Sequence, residues 1–73
     1  MEKEYFKRYV AIQYSGMYNM ITEANSVWEL ANMPQKEYWA IQDNYSELVK
    51  KYPDAYEEAK KIGQDMAKKI FGE

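Results

Sequence analysis

An apolar or aromatic side chain recurs every three or four residues through the middle of this chain. The members of the seam are Tyr38, Ile41, Tyr45, Leu48 and Tyr52. This spacing places all of them on one face of an α-helix, and such a seam packs well against a neighbouring helix. Pro53 disfavours helical geometry at the residue before it. The pattern therefore predicts a helix over residues 34–52.

Three further segments carry helical patterning, and they are residues 3–15, 20–32 and 54–71. Gly16 follows the first segment, where the left-handed conformation that ends many helices favours glycine. Asn19 and Thr22 are the two candidate caps for the start of the second segment. The predicted inward face of the second segment consists of Ile21, Ala24, Val27, Trp28 and Ala31.

Small residues recur every four positions along the last predicted helix, and they are Ala55, Ala59, Gly63 and Ala67. A ridge of small side chains allows another helix to approach closely. A glycine inside a helix costs about 1 kcal/mol relative to alanine, and close packing at Gly63 offers a reason for that cost. We therefore expect this ridge to face another helix.

These segments predict a single all-α domain over residues 1–73, built as a small bundle of about four helices. No alternating apolar run bounded by turn residues predicts a strand. Residues 20–32 and 34–52 are expected to form a helical hairpin or a helix-turn-helix-like unit. A chain this short buries only about 60% of its unfolded surface, so formation of a homodimer is one route to added stability.

Histidine and cysteine are both absent from the chain. The commonest general base and the thiolate nucleophiles and metal ligands are therefore missing. Carboxylates at helical spacing remain, and they are Asp43 with Glu47, and Asp54 with Glu57 and Glu58. Each set also fits a solvated surface or a helix start, where negative charge is favourable. The sequence therefore predicts no enzyme, no catalytic residue, no cofactor, no metal and no small-molecule substrate.

The longest apolar runs are Tyr9–Ile12 and Tyr38–Ile41, four residues each. A bilayer-spanning helix needs about 20 apolar residues, and the first residues lack a signal-peptide core. We therefore expect a soluble, cytoplasmic protein with no membrane partner. The formal net charge of −2 argues against general nucleic-acid binding.

Eight tyrosines and two tryptophans are more than a small core conceals. These residue types are enriched at the centres of protein interfaces. They also occur as half-buried boundary residues whose polar tip reaches water, and that alternative stays open. The predicted protein-contact residues are Trp28, Trp39, Tyr56, Tyr14 and Tyr18.

A helix-turn-helix interpretation of residues 20–52 makes the 34–52 helix a DNA-recognition helix. Its candidate base contacts are Gln35, Lys36, Gln42 and Asn44, because amide and ammonium groups bind base edges. Glu37 and Asp43 on the same helix would face phosphate unfavourably. DNA binding is therefore the alternative, and a plain helical hairpin is the first prediction.

Three short stretches of the sequence resemble stretches of other proteins. They are Ser15-Gly16, Asn19-Met20, and residues 44–48 followed by Lys51-Tyr52-Pro53. They resemble small uncharacterised proteins of phages and prophages of Gram-positive bacteria, over about half the chain. The resemblance assigns no catalytic residue. It implies a mobile-element setting, in which small helical proteins bind host or phage proteins. The leading prediction is therefore a non-enzymatic helical protein-binding module, and the alternative is a small helix-turn-helix DNA-binding regulator.

Overall fold

Five α-helices form the computed structural model, which describes residues 2–70, and that range contains no strand. They are α1 Glu2–Ser15, α2 Ala24–Leu30, α3 Gln35–Asp43, α4 Tyr45–Lys51 and α5 Pro53–Ile70. The predicted all-α class is confirmed, but the helices number five instead of about four. The predicted end of the last helix at residue 71 lies outside the described residues. Within 2–70, no helix has both the length and the apolar character needed to cross a membrane.

The predicted helix over residues 34–52 is interrupted at Asn44, so the prediction of one continuous helix is wrong. Asn44 has φ −112° and ψ 23°. Its Nδ2 donates to the carbonyl of Ala40 at 2.9 Å, which also accepts the backbone N–H of Asn44 at 3.1 Å. Asparagine side chains that bond to nearby backbone groups compete with regular helix. The chain therefore forms α3 and α4 with a one-residue break between them.

The second predicted helix, residues 20–32, is shorter than expected at both ends. Neither candidate cap, Asn19 or Thr22, caps α2, whose N-cap residue is Glu23 without a side-chain cap bond. Asn19 instead caps a turn before the helix, because its Oδ1 accepts the backbone N–H groups of Ile21 and Thr22 at 2.9 Å each. Glu23 Oε1 accepts the backbone N–H of Asn19 at 2.8 Å in return. Glu23 itself has φ −113° and ψ 29°, outside helical values. The residues after Asn19 therefore form a separate capped turn, and α2 begins only after Glu23.

A left-handed residue ends α2, as another ends α1. Asn32 has φ 54°, and Gly16 has φ 70° at the position where the sequence predicted a glycine cap. After α2, the N–H of Met33 donates to the Trp28 carbonyl at 2.9 Å and that of Asn32 to the Glu29 carbonyl at 3.1 Å. This pair of bonds is the Schellman arrangement. It turns the chain towards α3 and leaves Asn32 exposed.

Helices α1 and α5 lie side by side and run in the same direction. Near their starts, the Tyr52 hydroxyl donates to Glu2 Oε1 at 2.8 Å. Further along both helices, Lys7 Nζ lies 3.0 Å from Glu58 Oε1. Gly63 then packs against the last turns of α1. The chain between α1 and α5 therefore has to return to the starting end, and α2 to α4 make that return.

The predicted ridge of small residues on α5 faces α1, as the sequence indicated. A Cβ atom added at Gly63 would lie 2.8 Å from Tyr14 Cβ and 3.1 Å from Ser15 N, and would overlap the carbonyl oxygen of Ala11. Only glycine permits this approach. The buried residues of the ridge are Ala55, Ala59 and Gly63.

Aromatic side chains fill much of the core between the α1–α5 pair and the remaining helices. Phe6 and Tyr38 are both fully buried. The ring of Phe6 packs edge-on against Tyr45, with 5.9 Å between centroids. The Tyr38 hydroxyl donates to the Met20 carbonyl at 2.6 Å, so this buried polar group is satisfied. Much of the tyrosine surplus is therefore used in the core.

Candidate protein-binding surface

Both tryptophans predicted to contact a partner lie together at one corner of the molecule. Trp28 of α2 and Trp39 of α3 pack edge to face, with ring centroids 5.9 Å apart. The buried ring of Tyr38 lies 5.5 Å from Trp28 and 5.2 Å from Trp39. Trp39 is 36% exposed, and Trp28 is half-buried. The Schellman turn after α2 therefore joins two residues that are eleven positions apart into one aromatic surface.

The predicted tyrosines lie elsewhere. Tyr14 of α1 and Tyr56 of α5 join their hydroxyl groups at 2.5 Å, and both rings are half-buried. The hydrogen bond to Tyr56 raises the pKa of Tyr14. Tyr18 is half-buried against the core, between α1 and α2. These three tyrosines therefore contribute to packing of the bundle, and they do not extend the tryptophan surface.

A groove that the sequence did not predict runs between α1, the end of α2 and α5. Its volume is about 520 Å³. Leu30 on its wall is 53% exposed. Its other apolar lining residues are Ala11, Ile12, Met17, Ala31 and Met66, and its polar ones are Arg8 and Asn32. We call these eight residues the aliphatic groove.

A second hollow, of about 420 Å³, lies on the other side of the α2 terminus. We call it the tryptophan hollow, and its lining residues are Trp28, Glu29, Asn32, Met33 and Pro34. Asn32 borders both spaces. The aliphatic groove and the tryptophan hollow therefore meet at its left-handed turn. We call the two spaces, together with Trp39, the α2 corner.

Of the four candidate DNA-contact residues, two are exposed and two make hydrogen bonds within the protein. Gln35 and Lys36 are exposed in the first turn of α3. Gln42 donates to the Tyr9 hydroxyl at 3.2 Å, and Asn44 donates to a backbone carbonyl one turn earlier at 2.9 Å. Contact between DNA bases and the last two amides would require these intramolecular bonds to break.

The carboxylates considered as an acid/base or metal site lie in two places. Asp43 and Glu47 border a hollow of about 300 Å³ at the α3–α4 break. Asp54 lies in the first turn of α5, and Glu58, one turn further on, pairs with Lys7. In the part of the chain that the structure describes, no three acidic residues gather as a metal site.

Comparison with protein-family models, with curated proteins and with solved structures finds no match for this chain. No residue role is therefore transferred from another protein. Function is inferred from the α2 corner, where apolar side chains stay exposed beside two open spaces.

Proposed function

We propose that this chain is a non-enzymatic protein-binding module whose contact surface is the α2 corner. The observation that supports this proposal is the meeting of two open hollows at Asn32, beside Leu30 and Trp39, which are 53% and 36% exposed. Exposed apolar side chains grouped around a groove mark surfaces that a partner covers. The fully buried centre of an interface is more apolar than the surrounding surface.

Three kinds of side chain supply the binding energy on this surface. Complete burial of a leucine side chain is worth about 1.5–3 kcal/mol, so covering the half-exposed Leu30 contributes roughly 1 kcal/mol or more. Trp39 belongs to the residue type most enriched at interface hot spots. Met17 and Met66 line the groove beside Leu30, and flexible thioether side chains adapt to the shape of a partner.

The proposed partner is a host or phage protein, in the mobile-element setting that the sequence resemblance implies, or a second copy of the chain. Trp28 and Trp39 are its proposed aromatic contacts. Tyr14, Tyr18 and Tyr56 are assigned to the fold in this proposal, because none of them lines the aliphatic groove or the tryptophan hollow. Sizing at several concentrations distinguishes a second copy from a different protein.

Affinity capture with matched variants tests the proposal. The bait is the tagged chain, and the prey is a lysate of the cells that carry the gene. Leu30→Glu places a charge in the α2 corner, whereas Ile21→Glu places the same charge on a residue that is 73% exposed and borders neither hollow. The wild-type chain and Ile21→Glu should retain the same protein, and Leu30→Glu should lose it.

Two results would contradict this function. One is a strict monomer that captures no protein. The other is a captured protein that Leu30→Glu and Ile21→Glu retain equally well. Circular dichroism of each variant confirms that it is folded before the capture is compared.

A further inference from the structure

We propose that the aliphatic groove binds the C-terminal carboxylate of an apolar peptide, with Arg8 as the carboxylate-binding residue. This proposal rests on the protein-binding function proposed above and specifies which part of the partner enters the groove. The identification depends on the position of Arg8 in the groove, on the ion pairs of the surrounding helices and on the aliphatic character of the remaining walls.

Arg8 is the single arginine of the chain, and it is half-buried where α1 meets the end of α2. Its Nη1 donates to the Ala31 carbonyl at 3.2 Å. Its Cζ lies 5.6 Å from the centre of the Tyr5 ring. A guanidinium carries five N–H donors in a rigid fork. The single hydrogen bond to Ala31 therefore orients the fork and leaves further donors for a ligand.

Among residues 2–70, which the structure describes, no carboxylate lines the aliphatic groove. Within residues 2–70, the ion pairs are Lys7 with Glu58 and Lys51 with Glu2, so Arg8 has no acidic partner there. A partly desolvated cation without a counter-charge favours a bound anion. Carboxylate and phosphate oxygens can both accept two parallel N–H bonds from a guanidinium. The mostly apolar lining beside Arg8 favours the carboxylate, because it can end an apolar chain that fills the rest of the groove. The groove therefore has a charged group at Arg8 that is complementary to a carboxylate.

The remaining lining of the groove determines the length and polarity of the chain that carries this carboxylate. The path from Arg8 to Met17 follows α1 for about two turns, roughly 10 Å. An extended peptide covers that distance in about three residues. Leu30 and Met66 on the walls are apolar, so apolar peptide side chains fit there. Binding of a free C-terminus is a recurring mode of peptide recognition.

Asn32 favours a peptide over a simple alkyl carboxylate. It is exposed and lines the groove with Leu30 and Met66. Its carboxamide offers both a donor and an acceptor, which a peptide backbone uses and a hydrocarbon chain does not. The proposed complex therefore has Arg8 on the terminal carboxylate, apolar side chains against the methionines, and Asn32 beside the peptide backbone.

Matched probes test this proposal on the intact chain. The first probe is the acetylated peptide Ala-Gly-Ser-Ile-Leu with a free C-terminal carboxylate, and the second is the same peptide with a C-terminal amide. Binding is followed by NMR of methionine methyl groups labelled with carbon-13. The free acid should shift the signals of Met17 and Met66 and bind at least about tenfold more tightly than the amide, because hydrogen bonds to charged groups are the strong ones.

Variants assign the effect to Arg8. Arg8→Gln should remove the difference between acid and amide. Arg8→Lys keeps the charge but loses the fork, and it should give an intermediate preference. Lys7→Gln is the matched control, because it removes the same charge from the preceding residue, which does not border the groove. This variant should keep the full preference for the acid over the amide. If Arg8→Gln weakens the fold, the reduced acid preference of Arg8→Lys still tests the role of the guanidinium.

Three outcomes would overturn the proposal. Equal binding of acid and amide, both lost in Leu30→Glu, would leave the docking function standing and remove the carboxylate assignment. A second outcome is that neither peptide shifts the signals of Met17 or Met66, while affinity capture still retains a protein that Leu30→Glu loses. That outcome would also remove the carboxylate assignment and leave the docking function standing. Tighter binding of decanoate than of the peptide acid, also dependent on Arg8, would assign the groove to a small molecule.

Discussion

Gly63 of α5 lies against the backbone carbonyl of Ala11 of α1, so closely that no side chain fits between them. This contact fixes the distance between the two longest helices of the described chain. It also sets the shape of the aliphatic groove, because Ala11 and Met66, one turn beyond Gly63 on α5, both line it. The fold and the proposed binding surface therefore depend on the same close approach.

Gly63→Ala should destabilise the protein. Alanine is the better helix former by about 1 kcal/mol, but its Cβ would collide with the Ala11 carbonyl and lie 2.8 Å from Tyr14 Cβ. Overpacking of this kind costs about 1–3 kcal/mol. Urea unfolding measures the change, and Gln64→Ala, on the exposed side of the same turn, should leave stability unchanged or slightly higher. A Gly63→Ala variant as stable as the wild type would show that α1 and α5 are not in close contact.

The hydroxyl pair of Tyr14 and Tyr56 should show energetic coupling. The two oxygens are 2.5 Å apart, and removal of one hydroxyl leaves the other without its partner. Each single change to phenylalanine should cost about 0.5–1.5 kcal/mol. The double variant should cost less than the sum of the two, because the second change removes a group that is already unpaired. Strict additivity in the double-mutant cycle would rule out the hydrogen bond.

Asn32 should tolerate glycine better than alanine. Its φ of 54° lies in the left-handed region, which costs most residues roughly 1–2 kcal/mol and costs glycine nothing. Asn32→Ala should therefore lower the free energy of unfolding by about 1 kcal/mol, and Asn32→Gly should remain close to the wild type. Thermal unfolding of the two variants provides the comparison. Equal stability of both would show that the turn after α2 is not left-handed.

Alkaline pH should unfold the protein through its buried tyrosines. Burial raises the pKa of Tyr38 from 10.0 to about 12, and burial also raises the pKa of Tyr45. Above pH 10 the unfolded chain loses these protons before the folded chain does. Stability contributed by Tyr38 is therefore complete below pH 10 and is lost as the pH rises to about 12.

Urea unfolding across this pH range measures the loss, with circular dichroism as the signal. Tyr38→Phe cannot titrate, so its stability should fall less steeply with pH, although it starts lower because the bond to Met20 is absent. An identical slope for the variant and the wild type would exclude Tyr38 as a source of the alkaline loss.

The sequence predicts the parts of the fold that local periodicity controls. Helical spacing identifies the all-α class, and the four-residue recurrence of small side chains identifies the face of α5 that meets α1. The breaks near Asn19 and Asn44 escape such a pattern, because they come from side chains that bond to the backbone. Ile21 shows the consequence: it fits the predicted inward stripe, yet it is 73% exposed because it lies in the capped turn before α2 begins.

The candidate surface is less predictable, because it is assembled from distant parts of the chain. Composition indicates that tryptophan is available for contacts, but only the turn at Asn32 places Trp28 beside Trp39. The aliphatic groove combines Arg8, Leu30 and Met66, which come from three helices. Their proximity follows from the packing of α5 and of the end of α2 against α1, and no spacing within one segment encodes that relationship.

Site-specific photocrosslinking can show whether a protein partner covers the α2 corner. A benzophenone side chain is introduced at Leu30 or, as the control, at Ile21, since both positions are exposed and apolar. After irradiation of cells that carry the gene, position 30 should yield a covalent adduct with one defined protein, and position 21 should not. No adduct from position 30, or the same adducts from both positions, would show that no specific protein partner covers the α2 corner.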